Sequence, residues 1–349
     1  MAPSIIKLGK LALALAVSAA TVDAAQYTLD PSDVYAGANF FNMWNFITDN
    51  DPTGGFVDYQ SQAQASSKAL IGYNPTKNRA FMGVDYWTTL SPTQSATNRG
   101  RASVRIESKK NYTRGLFVAD LAHMPSSTCG VWPAFWTVNH VNYPEWGEID
   151  ILENINENTN SLHALHTTAG CTVAGNQGAT HQTSTQQSYN CDDQATTGPY
   201  GTTQSQYQGC AATSTTANSY GTPFNNQGGG VVVMEWTTHF IKMWTFAPGA
   251  VPANILSEQP DTSTWGTPSF DTEGGSCTMN DHFQAHNIVF DTTFCGNYAG
   301  QAYFWQQTSC YKSNPTAYAT CAQYVAANPS VFSNAYWIIN SLKVYQWQY

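Results

Sequence analysis

Apolar and polar residues alternate over short stretches of the chain, and most stretches end at Gly, Pro, Asn or Ser. Alternation with a period of two is typical of strands that bury one face. Helical periodicity is scarce, and we predict only short helices near 60–70 and 316–327. Many short strands without intervening helices indicate an antiparallel β-sandwich or jelly roll. The predicted strands are 103–107, 115–121, 131–137, 148–155, 161–167, 230–236, 239–246, 286–291 and 336–347.

The segment 168–229 interrupts this pattern. It is rich in Thr, Ser, Gln, Asn and Gly, and it contains three of the eight cysteines. An even cysteine count in a secreted chain implies disulfides, although the pairing cannot be read from the sequence. We therefore predict long surface loops pinned by disulfides, not a second domain. The sequence contains no obvious linker, and we expect one domain over residues 25–349.

The first 24 residues have the features of a signal peptide. Lys7 and Lys10 precede the apolar run 11–20, and small residues follow it. Cleavage after Ala24 and cleavage after Ala20 both fit this pattern. The run is too short for a membrane helix, and no second one occurs. We expect a secreted, extracellular protein that does not associate with membranes.

Composition narrows the class of partner. The formal net charge is -9 at pH 7, and charged residues make up only 11% of the chain. This balance argues against nucleic acid and against anionic polysaccharides. Aromatic residues make up 13%, which suits stacking on the apolar faces of sugar rings. We expect a monomer that binds a neutral polysaccharide.

Three carboxylates stand close together in an otherwise apolar stretch, at Glu148, Asp150 and Glu153. Alternation places Glu148 and Asp150 on one strand face, but strict alternation would turn Glu153 into the core. One extra residue at Ile151-Leu152, a β-bulge, would return Glu153 to its partners, and bulges are common beside active sites. The alternatives for the triplet are surface acids on an edge strand or a calcium site.

A row of carboxylates on one face raises at least one pKa by mutual repulsion. The row then supplies a general acid beside an ionised nucleophile, as glycoside hydrolysis requires. We assign Glu148 as nucleophile, Glu153 as general acid and then base, and Asp150 as the group between them. The side chains of Glu148 and Glu153 must lean together, because four strand positions span roughly 13 Å whereas retaining enzymes hold their carboxyl groups about 5–5.5 Å apart.

Aromatic residues surround the triplet in sequence. Trp132 and Trp136 share one face of the preceding predicted strand, where they either line sugar subsites or belong to the core. Tyr143 and Trp146 lie in the loop that leads to the acids, and an aromatic residue in such a loop is more often functional than one inside a strand.

Two histidines, His163 and His166, follow on the next predicted strand. They are three positions apart and therefore lie on opposite faces unless a bulge intervenes. Only one of them can face the carboxylates, and the spacing does not decide which.

Residues 148–153 resemble the Glu-x-Asp-x-x-Glu signature of glycoside hydrolase family 16, in its fungal laminarinase or mixed-linkage glucanase branch. The similarity extends over most of the chain after the leader. It is carried by residues 130–136, 165–167, 218–221, 228–231, 234–237, 241–246 and 287–296.

The resemblance implies a concanavalin A-like β-jelly-roll sandwich with a cleft across its concave sheet. It implies endo-hydrolysis of β-1,3- or β-1,3/1,4-glucan with retention of configuration, and no cofactor or metal. The family's nucleophile, assisting aspartate and acid/base correspond to Glu148, Asp150 and Glu153.

The same resemblance assigns the residues that would bind sugar. The family's cleft tryptophans correspond to Trp132 and Trp136, and its cleft histidine corresponds to His166. Tyr298 and Tyr143 occupy stacking positions where relatives often have Trp. Two other functions stay open, a cell-wall glucan transglycosylase and a lectin-like binding module, and only the lectin would not need the acid pair.

Overall fold

The computed structural model describes residues 27–177 and 181–348, so the predicted signal peptide lies outside the described residues. Strands form most of the regular structure there. In chain order they are β1 (Tyr27–Tyr35), β2 (Trp44–Phe46), β3 (Val57–Tyr59), β4 (Ile71–Asn74), β5 (Arg79–Gly83), β6 (Arg101–Ser103), β7 (Arg105–Tyr112), β8 (Gly115–His123), β9 (Val131–Val138), β10 (Glu148–Glu153), β11 (Leu162–His166), β12 (Thr185–Gln186), β13 (Cys210–Thr213), β14 (Gly230–Trp236), β15 (Ile241–Phe246), β16 (Phe270–Asp271), β17 (His286–Phe294) and β18 (Tyr336–Trp347).

The α-helices are short, and they lie between strands or near the C-terminal end. They are α1 (Gln62–Ser67), α2 (Gly221–Asn226), α3 (Ala253–Leu256), α4 (Met279–His282), α5 (Gly296–Ala299), α6 (Ala302–Trp305), α7 (Ser309–Ser313) and α8 (Cys321–Ala327). Among the described residues, none of the helices has the length and apolar character needed to cross a membrane.

In the described part of the chain, the strands form two antiparallel eight-stranded sheets. One has the order β16-β15-β14-β8-β18-β5-β4, with β1 also paired to β18. The other has the order β12-β13-β11-β10-β9-β17-β7-β2. A small parallel pair, β3 and β6, stands apart from both. This arrangement confirms the predicted antiparallel sandwich.

The core lies between the two sheets. Phe117 and Met234 come from the first sheet, while Phe135, Ile149 and Phe290 come from the second, and all five are fully buried in one cluster. The rings of Phe135 and Phe290 stack across β9 and β17 with centroids 4.5 Å apart. Burial of each such side chain contributes roughly 1.5–3 kcal/mol. The residues that alternate with them on the second sheet point away from the core, onto what we call the site face.

Each of the nine predicted strands overlaps an observed strand, and the predicted helices correspond to α1 and α8. The prediction for 168–229 was incomplete. This segment contributes β13, which pairs with β11 in the second sheet. It also buries polar side chains such as Gln182 and Ser188. A composition poor in aliphatic residues concealed this strand, because its packing depends on hydrogen bonds and cysteines.

All eight cysteines lie within the described residues and form four disulfides. Two of the bridges fasten the 168–229 segment, and the other two tie the C-terminal helices to the sheet. The pairs are Cys171–Cys277, Cys191–Cys210, Cys129–Cys310 and Cys295–Cys321.

Candidate active site

The centre of the site is the irregularity in β10. Relative to β9, the register shifts by one residue between Asp150 and Leu152, and Ile151 is the extra residue. Ile151 and Leu152 are both fully buried in the core. Glu153 therefore returns to the site face, which also carries Glu148 and Asp150. The register confirms the bulge predicted from the sequence.

Two of the three carboxylates have a nitrogen partner. The indole Nε1 of Trp132 donates to Oε1 of Glu153 over 2.6 Å. The imidazole Nε2 of His166 lies 3.4 Å from Oδ2 of Asp150. One oxygen each of Glu148 and Asp150 and one ring nitrogen of His166 lie within 4.8 Å of one another. Glu153 is 9% exposed, so it is shielded from solvent but reached from the site face.

Burial and repulsion shift the titration of these groups. Burial, followed by the charge of Asp150, raises the pKa of Glu153 to about 8. The same two causes raise the pKa of Glu148 well above its ordinary value, while the positive charge of His166 opposes the shift. Burial disfavours the charged imidazole of His166, yet hydrogen bonds to Asp150 and Asp193 raise its pKa well above the usual range.

The tryptophans of β9 lie on the site face, half-buried. Trp132 packs edge-on against Tyr298, with ring centroids 5.4 Å apart. The guanidinium of Arg105 lies 4.9 Å from the ring centroid of Trp136, within the range of a cation–π interaction. Trp132, Trp136 and Tyr298 thus lie along one side of the carboxylates and leave ring surface accessible.

The loop between β9 and β10 carries the other two predicted aromatic residues. Tyr143 is 41% exposed, and its hydroxyl donates to Oδ2 of Asp193 over 2.5 Å. Trp146 is half-buried, and its carbonyl accepts a hydrogen bond of 2.6 Å from Nε2 of His286. The side chain of Tyr143 is therefore connected to the carboxylate site through Asp193. For Trp146, the structure shows a hydrogen bond of the backbone only.

The two histidines of β11 have different environments. His163 is fully buried, with Nδ1 2.8 Å from the carbonyl of Ile151 and Nε2 3.0 Å from the hydroxyl of Ser269. Burial lowers its pKa to about 4. His166 lies on the site face beside Asp150. The structure thus places His166, and not His163, next to the acids.

Sequence reasoning missed four charged residues on this side of the molecule. Arg105 and Glu107 on β7 form an ion pair of 2.9 Å, and Arg105 also lies 3.8 Å from Asp291 on β17. Burial raises the pKa of Asp291 to about 7 in spite of Arg105. In the sequence, Arg105 and Glu107 alternate with the apolar Ile106 in a predicted strand, and this pattern could have placed both charges on the site face. Asp193 lies in a loop without periodicity and gave no such signal.

Among the described residues, and apart from a group whose two cysteines are joined in a disulfide, two clusters offer three metal-type ligands each, one at Glu148, Asp150 and His166 and one at His181, Asp271 and Glu273. In the first, imidazole and carboxylate already pair with each other. In the second, the ammonium of Lys242 lies 2.8 Å from Glu273. Calcium prefers six to eight oxygen ligands. We assign no metal to either cluster.

Fold and site together define a class of protein. An antiparallel sandwich with two glutamates and an aspartate on one sheet face, flanked by indole rings, has the layout of a two-carboxylate glycoside hydrolase. The chain belongs to glycoside hydrolase family 16, because the family model described as "XgeA-like, catalytic GH16 domain" matches residues 44–345.

Similar proteins from fungi are named as enzymes of this class. A probable endo-1,3(4)-β-glucanase of Aspergillus fumigatus is 42% identical over 99% of this chain and 50% of its own length. The endo-1,3(4)-β-glucanase of Arthroderma benhamiae is 40% identical over 94% of this chain and 66% of its own length. The chain thus spans about half the length of the Aspergillus relative and about two thirds of the Arthroderma enzyme.

Two solved structures are similar in both sequence and fold. Laminarinase 16A from Phanerochaete chrysosporium, with β-glucans in both donor and acceptor sites, is 38% identical with a TM-score of 0.81. An elongating family 16 β-1,3-glucosyltransferase is 41% identical with a TM-score of 0.80. Each comparison covers 92% of this chain and 100% of the other.

Proposed function

We propose that this chain cleaves internal linkages of a neutral β-glucan, β-1,3 or mixed β-1,3/1,4, with retention of anomeric configuration. The observation that carries the proposal is the bulge in β10, which gathers Glu148, Asp150 and Glu153 on one sheet face. The endo-1,3(4)-β-glucanase activity named for the fungal relatives supports the substrate class. The glucans held by laminarinase 16A support it as well.

The chemistry follows from the protonation states. With a pKa of about 8, Glu153 keeps its proton at neutral pH and donates it to the glycosidic oxygen. Glu148 attacks the anomeric carbon and forms a covalent glycosyl intermediate. Glu153, now ionised, activates the water that releases the sugar. The positive charge of His166 favours the ionised form of Glu148 and so prepares it for attack.

The aromatic side chains would bind the polysaccharide. We propose that Trp132, Trp136 and Tyr298 stack on glucosyl rings beside the carboxylates, and that Tyr143 and Trp146 extend the contact from the loop before β10. The exposed ring of Tyr143 and the half-buried rings of the others support this assignment.

We further propose one catalytic domain over residues 25–349, secreted after removal of residues 1–24. Four disulfides support an oxidising, extracellular compartment. The low content of Lys and Arg, 14 residues in all, argues against nucleic-acid partners. We expect the enzyme to act as a monomer and without membrane association.

The nucleophile assignment is tested by Glu148→Gln, with product release from laminarin and cereal β-glucan as the measurement. We expect at least about a thousandfold loss of hydrolysis, the scale seen when a catalytic group is removed. The matched control is Glu145→Gln, the same change at an exposed position three residues upstream. Full activity in folded Glu148→Gln would refute the assignment of Glu148 as the nucleophile.

A transglycosylase is the second candidate, favoured by the similarity to the elongating glucosyltransferase. Both reactions pass through the same glycosyl intermediate and differ only in the acceptor. Incubation with a single laminari-oligosaccharide separates them, because hydrolysis yields shorter products whereas transfer yields oligomers longer than the donor. Tight binding without any product would instead favour a lectin-like module.

A further inference from the structure

Asp193 lies next to the carboxylate site but has no role in the proposed reaction steps. It is 1% exposed, and its two carboxylate oxygens are both engaged. Nδ1 of His166 donates to Oδ1 over 2.7 Å, and the hydroxyl of Tyr143 donates to Oδ2. A buried carboxylate is costly unless it is paired and hydrogen-bonded, so this arrangement defines one orientation of the imidazole.

The backbone around Asp193 is fastened to the strand that carries His166. The amide of Asp193 donates to the carbonyl of Thr167 over 3.1 Å, and the amide of Thr167 donates to the carbonyl of Cys191 over 2.8 Å. Cys191 is bonded to Cys210, which pairs with Leu165 in the sheet. The carboxylate is thereby fixed relative to β11.

The charged groups around His166 come from two elements. Glu148 and Asp150 face it from β10, and Asp193 faces it from the disulfide-bonded loop. Tyr143, from the loop before β10, adds a neutral hydroxyl on Asp193. On the β13 side the neighbour is Gly209, where an added Cβ would come within 3.0 Å of the imidazole, so the backbone approaches the ring closely and leaves no room for a side chain.

We propose that Asp193 is a positioning residue that keeps His166 protonated and directs its Nε2–H at Asp150. It acts through His166 and contacts no sugar. The imidazolium then offsets part of the repulsion between Asp150 and Glu148 and so favours the ionised form of Glu148 that attacks. This role deepens the proposed glycoside hydrolysis and depends on it, but the protonation of His166 can be measured without substrate.

The first test is an NMR titration of the imidazole Cε1–H signals in the folded, disulfide-bonded protein, with His166 assigned by its absence in His166→Gln. In the wild type we expect His166 to stay protonated through neutral pH. In Asp193→Asn we expect it to titrate at least one pH unit lower, a tenfold loss of proton affinity. An unchanged titration would overturn the proposal.

Three further variants make the test specific. Asp193→Glu restores the charge and should recover much of the wild-type titration. Tyr143→Phe removes one hydrogen bond but leaves the charge of Asp193, so His166 should titrate closer to wild type than in Asp193→Asn. If Asp193→Asn fails to fold, Asp193→Ser gives the same readout, with the fold checked by circular dichroism.

Kinetics provide the second readout. Because Asp193→Asn weakens the imidazolium that favours the ionised form of Glu148, the acid limb of kcat, where Glu148 loses its proton, should move to higher pH while KM changes little. A merely structural role would lower kcat by one factor at every pH. If the titration shifts as expected while the wild-type protein releases no product from laminarin or cereal β-glucan, the glucanase proposal fails and the pairing of Asp193 with His166 stands.

Discussion

Trp132 combines two functions in one side chain, because its indole nitrogen donates to Glu153 and its ring packs against Tyr298. The hydrogen bond stabilises the ionised form of Glu153 and opposes the effect of burial on its pKa. Stacking and protonation are therefore linked at this residue, and a substitution can separate them.

We predict that Trp132→Phe moves the alkaline limb of kcat/KM to higher pH. Loss of a hydrogen bond worth about 0.5–1.5 kcal/mol raises the pKa of Glu153 by about half a unit to one unit. The maximal rate should also fall, since the ring surface is smaller. The measurement is a pH profile on laminarin, with Tyr298→Phe as the control whose limb stays in place. A limb that moves to lower pH in Trp132→Phe would contradict the role of the hydrogen bond.

At the residue level, alternation was enough to predict that Glu148 and Asp150 share a face, whereas Glu153 joined them only through the bulge predicted at Ile151-Leu152. Two contacts in the surroundings of these acids could not be predicted from the sequence. His166 and Asp193 are 27 positions apart and meet only because a disulfide-bonded loop folds back. Asp291 and Arg105 lie on strands that are adjacent in the sheet but distant in the chain. The alternation of residues within one segment does not predict contacts between residues so far apart in the chain.

At the level of the element, the bulge decides where Glu153 points. Deletion of either Ile151 or Leu152 would restore strict alternation and leave Glu153 on the site face, one position closer to Asp150. Insertion of an alanine after Leu152 would add a second extra residue and turn Glu153 toward the core.

We therefore predict that both single-residue deletions retain more glucanase activity than the insertion. Each deletion should lower the free energy of unfolding by about 2–5 kcal/mol, because a buried aliphatic side chain is lost. Leu152→Ala is the control, since it loses the side chain but keeps the residue count. Activity on laminarin and chemical denaturation are the measurements. An insertion variant as active as the deletions would show that the bulge does not orient Glu153.

The strands themselves were predictable where apolar and polar residues alternate, as in β8, β9 and β18. The first six strands were mostly missed. Several are only three residues long, among them β2 and β3, and such lengths leave too few positions to show a period. Their place in the fold depends on partners such as β7, which the chain reaches much later.

For the whole molecule, the sandwich could be predicted from the number of strands, but the order of strands within each sheet could not.

The raised carboxyl pKa values make the stability of the fold depend on pH. A carboxyl group whose folded pKa exceeds its unfolded value stabilises the fold below the unfolded pKa, and this contribution is lost as pH rises through the folded pKa. Glu153, with a pKa of about 8, and Asp291, with a pKa of about 7, both belong to this kind.

Buried histidines act in the opposite direction at lower pH. Burial lowers the pKa of His163 to about 4 and that of His286 to about 3. Both groups favour the unfolded state only below the unfolded histidine pKa, about 6.5. Above that pH their contribution is constant, so the window between pH 6.5 and pH 8 isolates the raised carboxyl groups together with His166, whose pKa is also raised.

We predict that the melting temperature falls between pH 6.5 and pH 8, and that Glu153→Gln reduces the fall. The share of Glu153 is about 1–2 kcal/mol over this window, because its folded form keeps a proton that the unfolded form has lost. The matched control is Glu258→Gln, an exposed glutamate whose pKa is lowered by Lys343 and which therefore does not titrate here. Thermal unfolding at half-unit pH steps is the measurement. If Glu153→Gln and the wild type lose stability equally, the proton on Glu153 is absent at neutral pH and this carboxyl cannot be the general acid.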